Sequence, residues 1–121
     1  MALEHEITQF GGRLGFPGLA LPPEGILAFD VTNKGRVHFE RVGGEILAYL
    51  TLPVPPYDRD IARRLLAMCR YDKVRPLPLG AGLHRGQAVL MTRMPEAAAT
   101  AAALETAAIW LMERMAEVSK G

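Results

Sequence analysis

The order of patterns along this chain predicts an α+β fold: an antiparallel five-strand sheet, built as a three-strand meander plus a later hairpin, with three helices in the order α-β-β-β-α-β-β-α. Three observations carry that expectation. Apolar residues recur at helical spacing near both ends and once in the middle. Between the first two of these stretches lie three short runs rich in β-branched and aromatic residues, separated by Asn33-Lys34-Gly35 and Gly43-Gly44. A further pair of strand-like runs precedes the last helical pattern. Residues 1–121 read as a single domain, since a chain of this length buries one core without needing a metal or disulfide.

Leu3, Ile7, Phe10 and Leu14 fall at steps of four, three and four, which is one face of a helix over Leu3 to Leu14. Gly11 and Gly12 weaken it, and Gly15 before Phe16-Pro17 is a stop signal. After a turn-rich stretch come the strands Ile26 to Val31, Arg36 to Val42 and Glu45 to Leu52, paired as a meander. Alternation makes the second half-buried, with Val37 and Phe39 on one side and Arg36, His38 and Glu40 on the other. Pro53, Pro55 and Pro56 end the third strand. Asp58 then supplies a cap for a helix from about Arg59 to Tyr71, whose apolar set is Ile61, Leu65, Leu66, Met68 and Cys69. Val74 to Leu79 reads as an edge strand because Pro76 and Pro78 remove donors from one side; Gly80 to Gly86 reads as the turn into a last strand, Gln87 to Arg93. From about Glu96 to Val118 one long helix is set by Ala101, Leu104, Ala108, Leu111, Met115 and Val118. Trp110 lies off that stripe, suited to a core edge or to an interface.

Few residues here can do chemistry. There is one serine, Ser119, one cysteine, Cys69, and histidines only at 5, 38 and 84. Cys69 has apolar neighbours and reads as a small core or interface residue rather than a reactive thiol. No phosphate loop, dinucleotide fingerprint, HExxH or paired-cysteine motif occurs. His38 and Glu40 share a strand face, but solvated faces carry such residues routinely, so neither a metal nor a cofactor is expected. Net charge is +1 with dispersed Lys and Arg, which gives no footprint for nucleic acid. Nothing approaches the ~20 apolar residues of a membrane span, and the N-terminus lacks an export pattern. The expectation is a cytoplasmic binding protein, not an enzyme.

Read together, the motifs resemble the class I chaperones of type III secretion systems, the Tir chaperone-like family. Leu14-Gly15-Phe16-Pro17 looks like the family's helix-ending segment. Leu27-Ala28-Phe29-Asp30, Val37-His38-Phe39-Glu40 and Ile46-Leu47-Ala48-Tyr49-Leu50 are similar to its meander, and Ala62 to Met68 to its leucine-rich middle helix. Val89 to Pro95 and Ala107-Ala108-Ile109-Trp110 complete the likeness, which covers nearly the whole chain. It implies a homodimer that binds the N-terminal segment of a secreted effector, keeps it unfolded and delivers it to the secretion ATPase. A sequence pI near 8.0 departs from the family's usual acidity. Cargo contact is expected at Phe16, Leu19, Ile26, Phe29, Val37 and Phe39, the apolar residues on or beside the first helix and first two strands. The dimer contact is expected at Ile61, Leu65, Leu66 and Cys69 of the middle helix. Two alternatives stay open: a regulatory or scaffold protein of the same fold that binds a sister chaperone or folded partner, and a small-ligand domain using His38, Glu40 and Tyr49.

Overall fold

The computed structural model describes residues 3–16, 18–55, 58, 60–68 and 79–120. Its elements are α1 (Leu3–Leu14), β1 (Ile26–Val31), β2 (Gly35–Val42), β3 (Glu45–Pro53), α2 (Ile61–Met68), β4 (Gly80–His84), β5 (Gln87–Pro95) and α3 (Ala101–Lys120), with a 3₁₀ turn at Glu96–Ala98 before α3. The five strands form one antiparallel sheet in the order β1-β2-β3-β5-β4, which is the predicted meander joined to the later hairpin.

One face of the sheet carries the core. Leu27 and Phe29 on β1, Val37 and Phe39 on β2, Ile46, Ala48 and Leu50 on β3, and Ala88 and Leu90 on β5 are all buried there. α1 and α3 cover them. The predicted stripe of α3 is buried at every position, from Ala101 at 3% exposed to Val118 at 1%. Trp110 is buried too, which decides for the core edge. Phe10 of α1 meets Phe39 edge-on at 5.1 Å and lies 5.9 Å from Phe29, a geometry that aromatic quadrupoles favour.

α1 ends as a Schellman motif. Gly15 takes the left-handed conformation (φ 83°), and the Phe16 N–H reaches back to the Gly11 carbonyl at 2.7 Å. The chain then folds back along the helix, where the Thr8 hydroxyl donates to the Leu19 carbonyl at 3.2 Å. Gly11 makes this return possible: a Cβ there would stand 2.6 Å from the Phe16 carbonyl oxygen and 2.7 Å from Leu19 Cβ.

Three expectations are corrected. The strand before the last hairpin is Gly80–His84, where a turn was expected, while most of the expected strand, 74–78, lies outside the described residues. The turn is shorter: Arg85 and Gly86 alone have positive φ (51° and 76°) and His84 pairs with Gln87, the two-residue hairpin that glycine at its second position favours. The last helix does not start at Glu96. Pro95 and the 3₁₀ turn precede a new N-terminus, where the Thr100 hydroxyl accepts from the Ala103 N–H at 3.1 Å and the buried Glu6 carboxylate accepts from the Ala101 N–H at 2.7 Å. Across the first two strands Asp30 pairs with Arg36, both carboxylate oxygens accepting from Nη1 at 3.1 Å.

At the other end of α3 sits Arg64 of α2. Its Nε donates to the Val118 carbonyl at 2.6 Å, satisfying an orphan acceptor of the last helical turn, and its Nη2 donates to Asp58 at 2.7 Å. Asp58 also accepts from the Asp60 N–H at 3.1 Å, as a residue opening the helix should. The Arg64 hydrogen bond holds the Asp58 carboxyl below its usual value of 3.8.

Candidate functional site: the open face of the sheet

Strand alternation sorts the expected cargo residues. Phe29, Val37 and Phe39 share the inward parity and are 8%, 0% and 1% exposed, so they support the first helix from beneath and present no surface to a partner. Phe16 and Leu19 are half-buried, with Phe16 stacked obliquely on Phe29 at 5.1 Å. Ile26 is 46% exposed and belongs to the opposite face. The six residues therefore do not form one patch. Of the expected dimer set, Ile61 and Leu65 are spent in this chain's own core at 3% and 2% exposure, Leu66 is 71% exposed, and Cys69 lies outside the described residues.

The second face of the sheet has no element over it among the described residues. Cross-strand pairing aligns three rows on it: Ala28, His38, Tyr49, Met91 and Gly80; Ile26, Glu40, Leu47 and Arg93; and Asp30, Arg36, Thr51, Val89 and Gly82. The sequence reading missed Leu47, Val89 and Met91. A signal for them was present. β3 and β5 are apolar at both parities, the pattern of strands covered on two sides, yet the described residues cover one.

A polar island occupies the middle of this face. The rings of His38 and Tyr49 stack at 4.4 Å and 8°. His38 Nε2 lies 3.3 Å from the Thr51 hydroxyl, and the Tyr49 hydroxyl donates to Glu40 at 3.4 Å. Partial burial, then the Arg36 charge, lower the His38 pKa against a smaller opposing pull from Asp30. Burial and the neighbouring Glu40 raise that of Tyr49. At neutral pH both rings are uncharged, and the island is a hydrogen-bonded aromatic platform. No three His, Cys, Asp or Glu side chains converge among the described residues, so the face offers contact area rather than a metal cage. Toward β4 the platform opens into an apolar trough of about 460 Å³ between Tyr49, Val89 and Met91 on one side and the Gly80–His84 strand on the other.

Solved structures that share this chain's fold include class I type III secretion chaperones. A chain from the crystal structure of the Yersinia pestis type III secretion chaperone SycH with a stable fragment of YscM2 superposes with a TM-score of 0.75 at 15% identity, over 98% of this chain and 100% of that one. A chain of the HopA1–SchA chaperone–effector complex gives 0.76 at 17% identity, over 97% and 92%. YbjN, a putative transcription regulator from E. coli, gives 0.58 at 13% identity, over 91% and 83%. At these identities the likeness is one of fold. No protein-family model and no curated protein sequence matches the chain.

Proposed function

We propose that this protein is a non-catalytic secretion chaperone that works as a homodimer and holds the N-terminal segment of an effector unfolded. The observation that carries the reading is the uncovered sheet face with apolar residues at the outward parity of β3 and β5. A sheet buried on one side only exposes polar side chains on the other; Leu47, Val89 and Met91 instead call for a partner. The SycH and SchA complexes, each described as a chaperone with a bound partner, support it. In this reading cargo meets the half-buried Phe16 and Leu19 beside α1 and reaches Ile26 at the sheet edge, while Leu66 of α2 serves the dimer. Delivery to the secretion ATPase and a cytoplasmic setting follow from the same reading. Among the described residues no helix is long and apolar enough to cross a membrane.

The test is co-expression with N-terminal fragments from neighbouring reading frames, followed by native mass spectrometry. Two copies holding one protease-sensitive fragment support the proposal, as does loss of capture in Ile26→Glu. Leu66→Asp should give a folded monomer; Leu65→Asp instead puts a charge into the core and should unfold the chain. A wild-type monomer that captures no fragment overturns the reading. The shared fold of YbjN favours a second one, a regulatory protein that binds a folded partner, and a protease-resistant complex of equal stoichiometry would decide for it.

A further inference from the structure

β4 carries glycine at two successive outward positions, 80 and 82, and the fold does not ask for either. Neither has positive φ. A Cβ at Gly82 would meet nothing within 4 Å, and one at Gly80 only the Met91 carbonyl oxygen at 4.0 Å. Glycine inside a strand costs about 0.5–1 kcal/mol relative to alanine and marks places where another backbone comes close. The two missing side chains are what keep the trough open beside Tyr49, Val89 and Met91.

The rim of the trough carries two arginines: Arg85 stands at the hairpin end, and Arg93 stands two residues beyond Met91 on the same face, beside Gly80. Neither makes an ion pair among the described residues, whereas Arg36 and Asp30 on this face neutralise each other. Of the carboxylates near the platform, Glu40 already accepts the Tyr49 hydroxyl and Asp30 is paired with Arg36.

We infer that this trough is a docking site for an extended polypeptide segment in which apolar residues are flanked by acidic ones, the backbone crossing Gly80 and Gly82 and an apolar side chain entering between Tyr49, Val89 and Met91. Alternate side chains of an extended chain are about 6.5–7 Å apart, so one apolar residue fills the slot while its flanking carboxylates reach toward the rim. A second copy of this chain fits less well, because a two-fold contact centred on the trough brings like-charged rims together. The inference rests on the reading that the partner is an unfolded segment, and it adds that segment's chemistry and a seat away from Phe16 and Leu19.

The test uses fluorescein-labelled eight-residue peptides with leucine and valine two apart, flanked by either acidic residues or lysines, and reads anisotropy against the full chain. The acidic peptide should bind about tenfold or more tighter than the lysine one, and its affinity should fall as salt rises. Gly82→Leu, which fills the trough without a clash, should abolish binding with the melting temperature kept. Arg93→Glu, an exposed change that leaves the slot intact, should narrow or reverse the preference. Equal binding of the two peptides, or binding unmoved by both variants, overturns the inference. So does a change of oligomeric mass in Gly82→Leu without loss of peptide binding, which would assign the trough to a second copy. Effector-fragment capture by the unsubstituted chain separates the two readings: fragments captured while neither peptide binds sinks the trough alone, and no capture at all sinks both.

Discussion

Gly11 and Gly12 sit side by side in α1, and the structure assigns alanine opposite effects at the two positions. Either substitution gains helix propensity, about 1 kcal/mol in a helix interior and somewhat less in a last turn. At Gly12 nothing lies within 4 Å of the new Cβ, so the gain is kept and Gly12→Ala should stabilise by about 0.5–1 kcal/mol. At Gly11 the new Cβ stands 2.6 Å from the Phe16 carbonyl oxygen and 2.7 Å from Leu19 Cβ, atoms at or on the backbone that cannot swing away as a side-chain tip would. Overpacking of this kind costs about 1–3 kcal/mol, and the upper half of that range applies, leaving Gly11→Ala destabilised by about 1–2 kcal/mol. For a domain of this size one kcal/mol moves the melting temperature by roughly 3–4 °C, so circular dichroism melts should separate the variants by about 5–12 °C around the wild type. Because the displaced segment carries Phe16 and Leu19, Gly11→Ala should also weaken fragment capture while Gly12→Ala leaves it unchanged. Two shifts of the same sign would refute the reasoning, since they would mean that the 16–19 segment does not return over the helix.

Four further outcomes are expected. Thr92 is 2% exposed on the core side of β5 with its hydroxyl unpartnered, so Thr92→Val should raise stability by about 1 kcal/mol in urea titration; a loss would mean that the hydroxyl has a partner. Arg64→Met keeps the aliphatic stem but loses the bonds to the Val118 carbonyl and Asp58, and should cost about 1–3 kcal/mol with faster amide exchange in the last turn of α3. The Asp58 side of this contact carries a pH signature: its folded pKa is depressed, so the stability it lends is complete above 3.8 and lost as pH falls through the lower folded value. The gap between wild type and Asp58→Asn should therefore shrink in acid, and a gap equal at pH 6 and pH 2 would contradict the contact. His38 follows the same sign, its folded pKa lying below 6.5, so the stability that depends on its neutral ring is complete above 6.5 and declines below it. His38→Gln should flatten the slope of melting temperature against pH between 7 and 5, and an unchanged slope would place the titration elsewhere.

What was legible in the sequence was whatever rests on one local period. The stripe of α3, the alternation of β2 and the helix-ending Gly15 follow from spacing and backbone chemistry alone, and all stand where expected. What was not legible depends on partners distant in the chain. Glu6 is a surface residue by type, yet it is buried because the start of α3, 95 positions later, needs an acceptor for Ala101. Gly80 and Gly82 carry a turn composition, and only pairing with β5 makes them a strand. The hydroxyl partner of His38 likewise stands on the neighbouring β3, at Thr51.

Half of the expected cargo residues lie in the core, and for a different reason. Hydrophobicity selected Phe29, Val37 and Phe39, but in a sheet a residue's availability is set by parity, and these three share the parity of the core. The informative residues were those whose apolar character the core does not explain. On β3 the inward set is Ile46, Ala48 and Leu50, which leaves Leu47 and Tyr49 outward; on β5 it is Ala88 and Leu90, which leaves Val89 and Met91. Strands of this composition belong in the middle of two layers, and among the described residues no second layer covers the outward face. Arg36→Glu and Met91→Ser, both on that face and outside the core, separate the possibilities physically. If the face is an interface, such changes leave the stability of the isolated chain within about 0.5 kcal/mol of wild type yet abolish partner capture. If the face is an ordinary solvated surface, they leave both unchanged.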